Sequence, residues 1–98
     1  MDVLFADRDL DRLEADPGFD MGIPEGVVRA YRKRLQVIRS AADERDLRAL
    51  KSLHYEKLKG SRQHQCSMRL NDRYRLVMEV EDREHDKRVR IVGVEDYH

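Results

Sequence analysis

The side chains best suited to chemistry lie between Lys57 and the C-terminus of this 98-residue chain. Arg69 and Arg75 stand in the run CSMRLNDRYRLVMEV, whose apolar residues recur at every second position. Lys57 and Lys59 precede that run, and Asp96, Tyr97 and His98 end the sequence. Guanidinium and ammonium groups can hold a phosphate and stabilise charge developing on it. A carboxylate, a phenol and an imidazole nearby can move protons, the imidazole being best suited to this near neutral pH. The combination points to a site for a phosphate-bearing ligand with acid and base groups adjoining. The same residues also describe a solvated sheet face with Glu79 and Glu95 as counter-ions, followed by a terminal tripeptide with no role.

These groups must be positioned by a hairpin, and the apolar pattern dictates its register. A loop of Asn71-Asp72 alone would pair Met68 with Arg75, placing an apolar and a charged side chain on one face. A loop of Asn71-Asp72-Arg73 pairs Leu70 with Tyr74, Met68 with Leu76 and Arg69 with Arg75, which keeps the apolar set together. The longer loop is therefore predicted. It opposes two arginines directly, a destabilising arrangement unless an anion or an acid such as Glu79 or Asp96 neutralises them.

Further upstream, Val3-Leu4-Phe5 reads as a short first strand. A helix is predicted over Asp7 to Ala15, with Leu10 and Leu13 on one side, ended by Pro17-Gly18. Pro24 opens the longest helix, in which Val27, Val28, Tyr31, Leu35, Ile38 and Ala42 form one buried stripe flanked by Arg29, Arg32, Lys33 and Arg34. A further helical piece from Asp43 to Lys51 would pack Leu47 and Leu50. From Tyr55 the period becomes two: Cys66, Met68 and Leu70, then Tyr74, Leu76, Met78 and Val80, then Val89 and Ile91, until Gly93 disturbs the pattern. Helices followed by consecutive strands predict an α+β fold, with N-terminal helices on one face of a small antiparallel sheet, in a single domain spanning 1–98. Tyr31 and Cys66 read as core, and His54 and His64 as surface residues.

Composition narrows the class. Charged residues make up 41% and hydrophobic residues 40%, the latter in periodic runs, so a folded domain is expected. The net charge of +0 hides a division along the chain. Met1–Gly26 carries eight acids and two bases, Val27–Met78 fourteen bases and five acids, and the remainder four bases and seven acids. A basic middle between acidic ends fits either an anionic partner or pairing within the molecule. No stretch is apolar enough to span a bilayer, and the N-terminus is acidic where a signal peptide would be basic. The single Cys66 and the absence of metal-ligand spacing complete the reading of a cytoplasmic protein with no metal, cofactor or membrane association.

The run LKGSRQHQCSMRLNDRYRLV with the closing VEDYH resembles the HigB branch of the RelE/ParE toxin superfamily, whose pattern is approximately L-K-G-D-R-x-G-x-W-S-I-R-[IV]-N-x-[QR]-[WY]-R-[ILV] and a terminal [IV]-x-D-Y-H. The resemblance covers Leu58 to His98 closely and the helical half loosely. It implies a RelE-like fold and a ribosome-dependent endoribonuclease that cleaves mRNA without metal, the ribose 2′-hydroxyl attacking the adjacent phosphate. It also implies a helix-turn-helix, HigA-like antitoxin as partner, with operator DNA engaged only through that antitoxin. Carried over by position, Lys59 and Arg75 match positions that bind or stabilise the phosphate, Asp96, Tyr97 and His98 match the family's functional terminus, and Arg69 matches the arginine of S-I-R. With the neighbouring cations Lys57 and Arg73 added, the expected set is Arg75, Asp96, Tyr97 and His98 for catalysis and Lys57, Lys59, Arg69 and Arg73 for substrate binding. The chain departs from the pattern at Ser61, His64 and Cys66, which replace Asp, Gly and Trp within one short loop. The family histidine position holds Glu56, with His54 two residues earlier. The competing class is a non-enzymatic binder of the same superfamily, either a gyrase poison or an attenuated toxin retained as an antitoxin-bound co-repressor.

Overall fold

A computed structural model describes residues 1–83 and 86–96. The elements run β1 (Asp2–Phe5), α1 (Arg8–Ala15), α2 (Glu25–Ser40), α3 (Glu44–Ala49), β2 (Glu56–Lys57), β3 (Cys66–Arg69), β4 (Tyr74–Arg83) and β5 (Asp86–Asp96). Single 3₁₀ turns at Lys51–Leu53 and Gly60–Arg62 bracket β2. Local chemistry explains the helix starts. Asp7 caps α1 by accepting from the Leu10 amide at 3.0 Å, and Asp43 caps α3 by accepting from the Arg45 amide at 2.9 Å. Pro24 precedes α2, and its carbonyl accepts from Val27 and Val28.

The apolar stripe of α2 (Val27, Val28, Tyr31, Leu35 and Ile38) is buried together with Leu10 and Leu13 of α1 and Leu47 of α3. They pack on Cys66, Met68, Leu70, Leu76, Met78, Val89 and Ile91 of the sheet. Two expected core positions differ. α2 ends at Ser40, so Ala41 is buried and Ala42 is exposed, and Leu50 is 47% exposed where α3 gives way to the 3₁₀ turn. Polar bonds fasten the helical layer: the Tyr31 hydroxyl donates to the Leu10 carbonyl at 2.6 Å, and Arg32 donates to the carbonyls of Leu13 and Asp16, both at 3.1 Å. Arg34 reaches across to the Arg69 carbonyl at 3.2 Å. These arginines finish the hydrogen bonding of backbone groups at element ends. Among the described residues no helix is long and apolar enough to cross a membrane.

The sheet order is β1-β5-β4-β3-β2. The predicted antiparallel arrangement holds for β2 through β5, but β1 runs parallel to β5, pairing Asp2 with Arg88 and Phe5 with Ile91. The sheet is therefore mixed. The intervening helices carry the chain over one face and return it to the sheet in the parallel sense, which a tight turn cannot do. The hairpin register is the one predicted: Met68 opposes Leu76, Arg69 opposes Arg75, and the Leu70 amide bonds the Tyr74 carbonyl at 2.9 Å. Asn71 builds the loop, its Oδ1 accepting from the amides of Arg73 (2.8 Å) and Tyr74 (2.7 Å).

β5 contains a bulge. Met78 pairs with Ile91 but Val77 pairs with Gly93, so Val92 is the extra residue. Val89 and Ile91 face the helices, and beyond the bulge Val94 does so opposite Leu76, while Glu95 falls opposite Arg75 on the other face. Without the extra residue in a bulge, Glu95 would point at the core side. Deleting Val92 should therefore preserve a cooperative urea transition, since it regularises the ladder and keeps Leu76–Val94 and Arg75–Glu95 in register. Deleting Val94 should cost about 2–3 kcal/mol, because it removes apolar burial and sets a carboxylate opposite Leu76. Equal urea midpoints for the two deletions would contradict this account of the strand.

Candidate functional site

On the sheet face away from the helices, Arg69, Arg75 and Glu95 form one row across β3, β4 and β5. The side chains of the row are not equivalent. Arg69 turns toward the hairpin loop, with Nη2 2.5 Å from an Asp72 carboxylate oxygen and Nε 3.3 Å from the Asn71 carbonyl. Arg75 stays over the sheet, only 21% exposed, with Nη2 3.5 Å from Oε1 of Glu95. Glu95 is also held by Arg62, whose Nη1 and Nη2 donate to its two oxygens at 2.9 and 2.5 Å. The hydrogen bonds from Arg62, followed by the charges of Arg62 and Arg75, outweigh burial and hold the Glu95 carboxyl below its ordinary range.

Beside this row lies a cleft of about 360 Å³ lined by Glu56, Lys57, Leu58, Lys59, Arg62 and Arg75. Four of its six lining side chains are cationic. Lys57 comes from the two-residue strand β2, and Lys59 from the turn that follows. That turn needs Gly60, whose φ of +69° lies in the left-handed region where a side chain adds strain. Lys57 and Lys59 make no ion pair among the described residues. The cleft can therefore grip a phosphodiester between the lysines and Arg75, with Leu58 as an apolar contact.

The structure divides the residues expected from sequence into groups. Lys57, Lys59 and Arg75 meet in the cleft. Arg73 and Asp96 pair with each other, Nε to Oδ2 at 2.7 Å. Asp96 opposes Tyr74, one residue out of phase with the arginine row. The acid beside Arg75 is thus Glu95, a counter-ion of the sheet-face reading, and not the Glu79 or Asp96 offered for the opposed arginines: the bulge at Val92 puts Asp96 out of phase with the row, and Glu79 meets His64 and Gln65. Tyr97 and His98 lie outside the described residues. His54 ends the 3₁₀ turn before β2 in the left-handed region (φ 49°) and does not line the cleft. Among the described residues no group of three His, Cys, Asp or Glu side chains is placed to hold a metal ion.

Arg62 was not singled out from the sequence, although it stands at the arginine of the L-K-G-D-R pattern. Its signal lay in that position and in the adjacent apolar pair Ile91-Val92 before Gly93, the mark of a bulge that turns Glu95 toward it.

Comparison with known proteins follows from this geometry. Residues 3–91 match the family described as the RelE-like toxin of the type II toxin-antitoxin system HigB. The chain is 30% identical over 82 residues to Toxin HigB-1 of Vibrio cholerae serotype O1, covering 84% of this chain and 86% of that protein. Its fold is similar to that of the YoeB/ParE toxin from Agrobacterium tumefaciens (TM-score 0.63, 18% identity, all of both chains). The YoeB dimer from Staphylococcus aureus is also similar (TM-score 0.56, 20% identity, 100% of this chain and 97% of that one). With a toxin fold, a matched span covering all but the ends, and a curated relative of nearly equal length, the chain belongs to the HigB-like family of RelE-like toxins of type II toxin–antitoxin systems.

Proposed function

We propose that this toxin is an endoribonuclease that inhibits translation by cleaving mRNA on the ribosome, in the cytoplasm. The observation that carries the reading is the cleft in which Lys57, Lys59 and Arg75 converge beside an arginine-rich sheet face. Scission needs no cofactor. The ribose 2′-oxygen bonds to the adjacent phosphorus, its proton passes to a base, the bond to the 5′-oxygen breaks, and that oxygen takes a proton from an acid. The products are a 2′,3′-cyclic phosphate and a 5′-hydroxyl.

Arg75 and Lys59 face the phosphate and offset the charge that builds on its oxygens, where a positioned cation is worth most. Lys57 binds the neighbouring backbone. Arg69 and Arg73, on the hairpin, contact more distant phosphates after exchanging Asp72 and Asp96 for the RNA. Proton transfer is assigned to His98, with Tyr97 and, once released from Arg73, Asp96 as further acid/base groups. Membership in a type II system implies an antitoxin. We assign that role to a helix-turn-helix protein of the HigA type, through which alone the complex touches operator DNA. A gene for such a protein immediately downstream would support the pairing.

Expression without antitoxin should slow growth, and mapping of mRNA 5′ ends should reveal new cleavage positions inside translated frames. Intact messages in growth-arrested cells would shift the reading to a non-enzymatic poison. Arg75→Ala should abolish the arrest while the protein stays folded, since the side chain lies off the core. A folded Arg75→Ala variant of full toxicity would remove the phosphate role. Deleting His98 should lower cleavage on programmed ribosomes by about 10²–10⁴-fold, the range for a positioned acid or base. Parent rates from that deletion would leave the chemistry to the cations of the cleft.

A further inference from the structure

The wall of the cleft is lightly built. β2 contributes only Glu56 and Lys57, paired with Ser67 and Cys66. The segment from Leu58 to Gln65 then loops away from the ladder and closes through the Leu58 amide on the Gln65 carbonyl at 2.9 Å. Its side chains reach the sheet at two acids. Arg62 binds Glu95 of β5, while His64 and Gln65 approach the same oxygen of Glu79 in β4 at 3.8 and 3.2 Å. Ser67 and Val77 oppose each other on the sheet face away from the helices, yet are 1% and 0% exposed. They lie along the strands between the two acids that this segment reaches.

The anchors differ in strength. The Glu79 contacts are an amide bond and an imidazole that is charged only when protonated. Arg62–Glu95 is bidentate and charge-assisted, the stronger class of hydrogen bond. Glu95 also stands directly opposite Arg75 in the ladder, 3.5 Å from its guanidinium. One carboxylate therefore joins the wall of the cleft to its floor, and separates two guanidiniums that would otherwise repel.

We infer that Glu95 is a positioning residue of this site: by holding Arg62 and Arg75 together, it pins the Lys57–Arg62 wall against the sheet and sets the spacing at which Lys59 and Arg75 meet one phosphodiester. The inference rests on the reading of the cleft as a phosphate site. Glu95 is itself an anion in a site for anions. It opposes ground-state binding of phosphate while fixing the geometry that chemistry requires. Neutralising it should leave binding intact or tighter and slow the reaction, because misplacement of a positioned group by about 1 Å can cost roughly 10²-fold.

The test compares Glu95→Gln, Arg62→Gln and their combination in the full chain. Amide hydrogen exchange should quicken at Leu58 in each variant while the Met78 and Ile91 amides keep parent protection, showing an intact core. Unchanged exchange at Leu58 would overturn the tether. On programmed ribosomes, either single change should lower kcat by about 10²-fold, with KM unchanged or reduced for Glu95→Gln and raised for Arg62→Gln, which removes a cation of the cleft and leaves Glu95 uncompensated. The double variant should be no worse than the singles, because all three break the same link. Turnover by Glu95→Gln equal to or above that of the parent would make Glu95 a competitor of substrate and overturn the proposal. A parent protein that exchanges as expected but cleaves nothing would sink the ribonuclease reading, with the exchange data still deciding the tether.

Discussion

The bulge that absorbs the extra residue of β5 is the constraint on which the site depends. A strand shows opposite faces at alternate residues, so one inserted residue exchanges the faces of everything beyond it. Val89 and Ile91 must face the helices, and Val94 must do so as well, but the spacing from Ile91 to Val94 is odd. A bulge at Val92 reconciles them. It sets Glu95 beside Arg75 and leaves Asp96 opposite Tyr74. It also falls just past the end of β1, where β5 has lost its parallel neighbour and the strand can bend at lowest cost.

Charge is arranged in two tiers. Much of the basic middle of the chain is used inside the molecule: Arg32 and Arg34 on backbone carbonyls, Arg39 on Glu14, Arg62 on Glu95, and Arg73 on Asp96. Pairing between the acidic ends and the basic middle thus accounts for a large part of the division seen along the sequence. Solvent screens the exposed ion pairs among these, so their main effect is on which cations remain available. In the cleft, Lys57 and Lys59 make no ion pair among the described residues. Lysine suits that role, as a compact charge on a long stem that can follow a phosphate through a change of geometry.

The HigB-like toxin fold places this residual charge with economy. The helices pack on one sheet face, and on the other the segment between β2 and β3 is tied to Glu79 and Glu95. A cleft forms at the margin of that segment, where Arg75 comes from a long central strand and the lysines from a short edge strand and its turn. A floor on a long central strand and a lighter wall suit the proposed phosphodiester site, which would have to admit a polymer and then hold one phosphate.

Several features were legible in the sequence because their causes are local. The α+β class follows from a switch in apolar period near Tyr55, and the hairpin register follows from where Leu70, Tyr74 and Leu76 must face. The grouping of Lys57, Lys59 and Arg75 was legible as a cluster of cations around one hairpin, and the resemblance at LKG and RYR singled out Lys59 and Arg75. Other features needed the tertiary structure. Periodicity reports which face a residue occupies and says nothing of which strand lies alongside, so the parallel pairing of β1 with β5 was hidden. It also assumes an unbroken alternation, so past the bulge it could not choose between Glu95 and Asp96 as the acid beside the arginines. The bond between Arg62 and Glu95 joins residues far apart in the chain, and only the folded sheet brings them together.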